Sequence, residues 1–186
     1  MKKQIDAYFT NLRKTIAELD LDEITEAVEV IKKAYEDEAT IYIFGNGGSA
    51  ATASHFVCDF NKGISEERNK KFHLVCLNDN IPMLTAIAND ISYDEVYRFQ
   101  LKGKLQKEDL ILAISGSGNS KNIINAVDYA KEVGCKVIGM TGYDGGKLRA
   151  LSDYSMHVDI EDMQIVEDVH MAFDHMMFRV LGDNIN

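Results

Sequence analysis

Five short runs rich in Val, Ile and Tyr, at residues 40–44, 73–77, 110–115, 136–141 and 154–158, alternate with segments whose apolar residues recur every three or four positions. The runs have the length and residue types of strands, and the segments at 49–60, 81–89, 120–133 and 147–151 have the period of helices. A strand, a helix and a second strand are joined most economically as a parallel pair with a right-handed crossover. The pattern predicts an α/β fold with a five-stranded parallel sheet flanked by helices, doubly wound in the flavodoxin-like manner. A last helix is expected over residues 163–181. Ahead of the strands, Ile5, Tyr8, Leu12, Ile16 and Leu19 line one face of a helix over residues 3–19. Ile24, Ala27, Val28, Ile31, Ala34 and Tyr35 line a second, with Asp22 as its N-cap. Residues 1–36 thus read as a helical hairpin before an α/β body at 37–186, within the one domain that 186 residues suggest.

Ligands of an open parallel sheet bind outside the carboxyl ends of its strands. Two strand-to-helix junctions stand out there. In Phe44-Gly45-Asn46-Gly47-Gly48-Ser49 the glycines permit close backbone approach, so that free amides at a helix N-terminus can face an anion or a sugar hydroxyl. In Ser115-Gly116-Ser117-Gly118-Asn119-Ser120 three hydroxyls meet a row of free N–H groups, where a helix dipole favours a dianion. Neither loop continues into Gly-Lys-Ser/Thr or has GxGxxG spacing, so no nucleotide is implied. One such loop alone could be a tight turn with a serine cap; two, both after strands, point to a phosphorylated sugar.

The net charge of −10 disfavours a nucleic-acid partner. The one candidate basic stretch, residues 66–71, mixes both signs and reads as a solvated loop. No window approaches the ~20 apolar residues of a membrane span, and the charged N-terminus lacks a secretory signal, so a cytoplasmic protein is expected. Cys58, Cys76 and Cys135 are odd in number and far apart, and read as buried free thiols.

At this point the sequence resembles a known family. GNGGSAATASHF, LTAIAND at 84–90, ISGSGNS, MTGYDGG at 140–146 and the closing VEDVHMAFDH are similar to the sugar isomerase (SIS) domain, specifically the phosphoheptose isomerase group, in unbroken order from about residue 40 to 178. The resemblance implies conversion of sedoheptulose 7-phosphate to D-glycero-D-manno-heptose 7-phosphate, in a homotetramer with active sites between subunits, often with zinc. It implies substrate contacts at Asn46, Gly47 and Gly48, at Asn89 and Asp90, and at Ser115, Gly116, Ser117, Ser120 and Glu167. It implies metal ligands at His55, Asp59, Glu167 and His175, with Asp59 and His175 catalytic. Three positions depart from the family pattern: Asp59 replaces a glutamate, Gly116 a threonine and Glu167 a glutamine. A second resemblance, in LTAIAND with Tyr93–Tyr97 and in residues 141–146, is to an SIS relative that binds the replication initiator DnaA and is a scaffold; Asp59 and His175 favour the enzyme over it.

The residues themselves bear on that assignment. His55 and Asp59, at i and i+4, share one helix face, although a lone pair at that spacing is more often a surface hydrogen bond than a metal site. Glu167 and His175 are eight apart, about 12 Å along one helix, and cannot clasp one ion unaided. Either the helix starts later, or each residue serves a different side of a site shared between subunits. His170 reads as structural, His73 and His157 receive no role, and the C-terminal methionines suit adaptable core or a subunit interface.

Overall fold

The computed structural model describes residues 1–185. All five expected strands form and every pairing is parallel: β1 (Ile41–Gly45), β2 (Leu74–Cys76), β3 (Leu110–Ser115), β4 (Lys136–Gly142) and β5 (Tyr154–Val158), in the order β2-β1-β3-β4-β5. The chain therefore leaves β1 toward one edge of the sheet and β3 toward the other. The cleft between the carboxyl ends of these two neighbours is the topological switch point, where open α/β sheets bind ligands.

Alternation along the buried strands divides the core in two. Ile41, Ile43, Leu110, Leu112, Ile114, Ile138 and Met140 face α2 (Leu21–Glu36), α3 (Gly48–Cys58) and α8 (Met163–Asn184). Phe44, Ile111, Ala113 and Val137 face the other way, among apolar residues of α4 (Ile81–Asp90), α5 (Arg98–Leu101), α6 (Lys121–Val133) and α7 (Gly146–Leu151). Burial on both faces explains why β3 reads as a continuous apolar run rather than an alternating one. The four-residue α5 and a 3₁₀ turn at Tyr93–Glu95 are too short to show a period, and the sequence pattern does not reveal them.

The N-terminal hairpin forms from α1 (Lys2–Ala17) and α2. The cap of α2 is Asp20, not Asp22: its Oδ1 accepts from the N–H groups of Asp22 and Glu23, so Asp22 lies inside the first turn. α1 is loosely covered, with Thr15 its one buried residue, and the Tyr8 hydroxyl ties it to α8 by donating to Asp168 (2.6 Å).

Two further expectations are corrected. Cys58 is exposed at the C-terminal end of α3, whereas Cys76 and Cys135 are buried as free thiols whose pKa values burial raises to about 11 and about 12. The mixed run at 66–71 is not merely solvated. Arg68 donates to the Ile64, Gly182 and Ile185 carbonyls, Lys70 to that of Glu36, and Lys71 to that of Ser65. The basic groups thus satisfy carbonyls left over at helix ends, where the helix dipole favours a cation. Among the described residues, no helix is long and apolar enough to cross a membrane.

Candidate active site

Both Gly/Ser loops open into one pocket of about 270 Å³, lined on one side by Asn46, Gly47, Gly48 and Ser49 and on the other by Ser115, Gly116, Ser117 and Ser120. Gly47 stands at the N-cap of α3 and Ser120 at that of α6, and neither supplies a side-chain cap. Two helix N-termini with free N–H groups therefore converge on the same space, an arrangement that favours an anion. Ser115 donates to the Ser120 hydroxyl (3.4 Å), and the exposed Ser117 Oγ accepts from the Asn119 N–H (3.3 Å), so the three hydroxyls line one wall.

A third side of the pocket is α8, through Met163 and Glu167. A Cβ on Gly48 would collide with the Glu167 carboxylate, so the glycine leaves the room in which that carboxylate rests. Seven residues along α3, His55 meets α8 again, at His175: their Nε2 atoms are 3.3 Å apart. Gly48 beside Glu167 and His55 beside His175 mean that α3 and α8 run side by side in the same direction. From Gly48 in the anion pocket to His55 is about 10 Å along α3, at 1.5 Å per residue.

There His55, Asp59, Asp174 and His175 each place a ligand atom within 4.8 Å of the others. His55 Nε2 lies 3.6 Å from Asp59 Oδ2 and 3.7 Å from Asp174 Oδ2. Asp59 begins a π-helical turn, Asp59–Ile64, that continues α3, so the helix predicted to residue 60 changes character at this residue. Asp174 has no solvent-exposed side chain and neither carboxylate oxygen has a hydrogen-bond partner. Burial, reinforced by the charge of Asp59, pushes its pKa up to about 7. Two imidazole nitrogens facing each other beside a buried carboxylate with no hydrogen-bond partner form a set of nitrogen and oxygen donors of the kind that suits a divalent zinc ion.

The candidates thus divide between two groups about 10 Å apart along α3. His55, Asp59 and His175 come together within a single chain. Glu167 is not among the four groups that converge; its carboxylate packs over Gly48 in the anion pocket. Glu167 and His175 thus stand about 12 Å apart on α8, in the two different groups. Asn89 and Asp90 stand exposed at the end of α4, bonded to each other (2.8 Å), outside the pocket lining of their own chain. His170 is buried on α8 with Nε2 3.2 Å from the Thr141 carbonyl, and burial holds its pKa down to about 4, so it anchors α8 to the end of β4 as a neutral ring. Asp174 was missed by sequence reasoning. The signal available was an acidic residue on the apolar stripe Val166, Val169, Phe173, Met177, Leu181, where a charge needs a partner.

The profile of the SIS domain family matches residues 6–142. The chain belongs to that family. Within it the similarity is to phosphoheptose isomerases. The chain is 34% identical over its full length, and the relative's, to the phosphoheptose isomerase of Aliarcobacter butzleri. It is 36% identical to a probable phosphoheptose isomerase of Thermoplasma acidophilum, over 89% of this chain and 90% of that one. The solved phosphoheptose isomerase of Neisseria gonorrhoeae superposes with a TM-score of 0.89, covering 99% of each chain at 29% identity. For an SIS protein of this group the structure accounts for one departure from the usual residues. A Cβ on Gly116 would lie 2.7 Å from Met163 Sδ, so the methionine occupies the room a threonine side chain would need.

Proposed function

We propose that the protein interconverts sedoheptulose 7-phosphate and D-glycero-D-manno-heptose 7-phosphate. The observation that carries this reading is the pairing of two groups of residues on α3 and α8: an anion pocket at two helix N-termini, and about 10 Å along α3 a cluster of imidazoles and carboxylates. A sugar phosphate anchored by Ser115, Ser117, Ser120 and the loop amides, with Asn46, Gly47, Gly48 and Glu167 along its chain, would present its carbonyl end to that cluster.

Aldose–ketose isomerisation moves one proton between C1 and C2. In the ketose-to-aldose direction Asp59 takes the proton from C1, giving an enediolate. A proton passes from O1 to O2 with His175 as the acid/base partner, and carbon C2 is then reprotonated, so the substrate is neither oxidised nor reduced overall. His55, Asp59, Asp174 and His175 would hold zinc, which when bound supplies Lewis acidity at the sugar oxygens. Glu167, named beside these ligands by family resemblance, serves the sugar side of the cleft instead. The decisive experiment is exchange of the C1 proton of sedoheptulose 7-phosphate with solvent, catalysed by the wild-type protein and lost in Asp59→Asn.

The proposed assembly is a homotetramer. On the hairpin Ile5, Phe9, Ile16 and Leu21 are 52%, 55%, 45% and 69% exposed, too much apolar surface on adjacent turns for a free face. A groove of about 410 Å³ between α1, α2 and α8 continues this surface through Leu19, Val28 and Met176. In such an assembly Asn89 and Asp90, on the exposed end of α4, are assigned to the site of a neighbouring subunit.

A further inference from the structure

The two loops of the anion pocket are fastened to each other from behind by a side chain that none of the preceding assignments uses. Asn122, 2% exposed, lies on the first turn of α6, two residues past Ser120. Its carboxamide forms a cyclic pair with that of Asn46: Asn46 Nδ2 donates to Asn122 Oδ1 and Asn122 Nδ2 donates to Asn46 Oδ1, both at 2.9 Å. The orientation of the pair is dictated by the backbone. Asn122 Oδ1 also accepts the Ile123 N–H (3.0 Å), so this edge of the amide must be the oxygen. The nitrogen of Asn46 is then the only atom that can face it. On the other side Asn46 Oδ1 accepts the Tyr93 hydroxyl (2.8 Å), and the Tyr97 hydroxyl, 3.0 Å from it, donates to the neighbouring Gly45 carbonyl while accepting from Asn78 Nδ2 (2.9 Å). Tyr97 is itself buried and stacked on Phe44 at 4.8 Å.

We infer that Asn122 is a positioning residue: through its paired amide it locks Asn46, and with it the glycine loop after β1, at a fixed separation from the serine loop after β3. The Asn46 oxygen is committed to internal donors, which leaves one Nδ2 proton for a ligand. Asn46 therefore acts toward the sugar as a donor only and recognises an oxygen acceptor. Fixing the two loops before binding spares the ordering cost that a mobile loop would add to each binding event.

This inference rests on the proposed sugar-phosphate site, and its test separates the two. In wild-type protein without ligand, NMR should show the one Asn46 Nδ2 proton that is donated to Asn122 Oδ1 exchanging slowly with solvent, and in Asn122→Ala, which offers it no acceptor, at least about tenfold faster. Fast exchange in the wild type would overturn the pair even if the enzyme is active, and the exchange test still decides if the protein has no isomerase activity. With sedoheptulose 7-phosphate as substrate, Asn46→Ala and Asn122→Ala should each raise KM about tenfold with kcat within about twofold, and the double variant should be no worse than either single one. Additive effects, about 100-fold in KM for the double variant, would contradict action through Asn46. If Asn122→Ala does not fold, Asn122→Asp takes its place in the same cycle. Zinc affinity should be unchanged throughout, whereas a general loosening of the fold would lower it.

Discussion

His55 Nε2 and His175 Nε2 lie 3.3 Å apart although 120 residues separate them in the chain. The contact places the C-terminal half of α3 against the C-terminal half of α8, and the unpartnered Asp174 carboxylate completes one wall. In the absence of a cation, Asp174 ionises at a cost. Its carboxyl would titrate at its ordinary value of 3.8 in the unfolded chain and near 7 in the fold, so between these values the folded state binds the extra proton. Stability of metal-free protein should then fall as pH rises from about 4 to about 7, by roughly 1.4 kcal/mol per unit and up to about 4 kcal/mol in all. Asp174→Asn should flatten that dependence in denaturant titrations of chelator-treated protein, and added zinc should reverse it in the wild type, since ligation favours the ionised form. A slope that survives Asp174→Asn would assign the titration to another group.

His170 works in the opposite direction. Burial lowers its pKa to about 4 from an ordinary 6.5, so the unfolded chain binds the extra proton between these values. The stability it contributes is complete above pH 6.5 and is lost as pH falls toward 4, by about 3 kcal/mol. Replacing His170 by Gln should remove this acid-side loss, measured in the same titrations, while a neutral amide keeps a donor for the Thr141 carbonyl.

Ser117→Ala should weaken binding of a phosphosugar by about tenfold or more, the effect of one hydrogen bond to a charged group, and hardly change binding of the unphosphorylated sugar. Calorimetry with both ligands separates the cases. Equal losses would mean that this loop does not hold the phosphate.

How much of this was legible in the sequence follows from how far each signal extends along the chain. Strands and long helices announce themselves by period, so β5 was placed at its observed bounds and α6 within one residue. The two loops were legible because glycines and serines cluster where a strand pattern breaks. His55 and Asp59 were legible as an i, i+4 pair, whereas their meeting with His175 was legible only through the family resemblance, because it depends on two helices running in parallel and not on local spacing. Asp174 lay inside an apolar stripe dominated by its neighbours. Asn122 was hidden for the same kind of reason: an asparagine in a first helical turn is unremarkable until its partner 76 residues earlier is known.

Charging the hairpin stripe should break the assembly. Phe9→Glu with Ile16→Glu should convert a tetramer into smaller species by light scattering, with the α/β circular dichroism retained. A wild-type protein that is strictly monomeric at micromolar concentration would overturn both the tetramer and the assignment of Asn89 and Asp90 to a neighbour.

The central claim is that Asp59, one methylene shorter than the glutamate usual at this position, removes a carbon-bound proton from a sugar phosphate held in the anion pocket. The most direct test is NMR detection of C1 proton exchange with solvent in sedoheptulose 7-phosphate, with zinc present, for the wild type, Asp59→Asn and Asp59→Glu. Exchange is expected in the wild type, with its loss in Asp59→Asn while substrate binding is retained, and a changed rate in Asp59→Glu because the carboxylate moves by about 1 Å. Absence of exchange in the wild type with several ketose phosphates would contradict it, and would make the protein a binder of phosphosugars and not an isomerase.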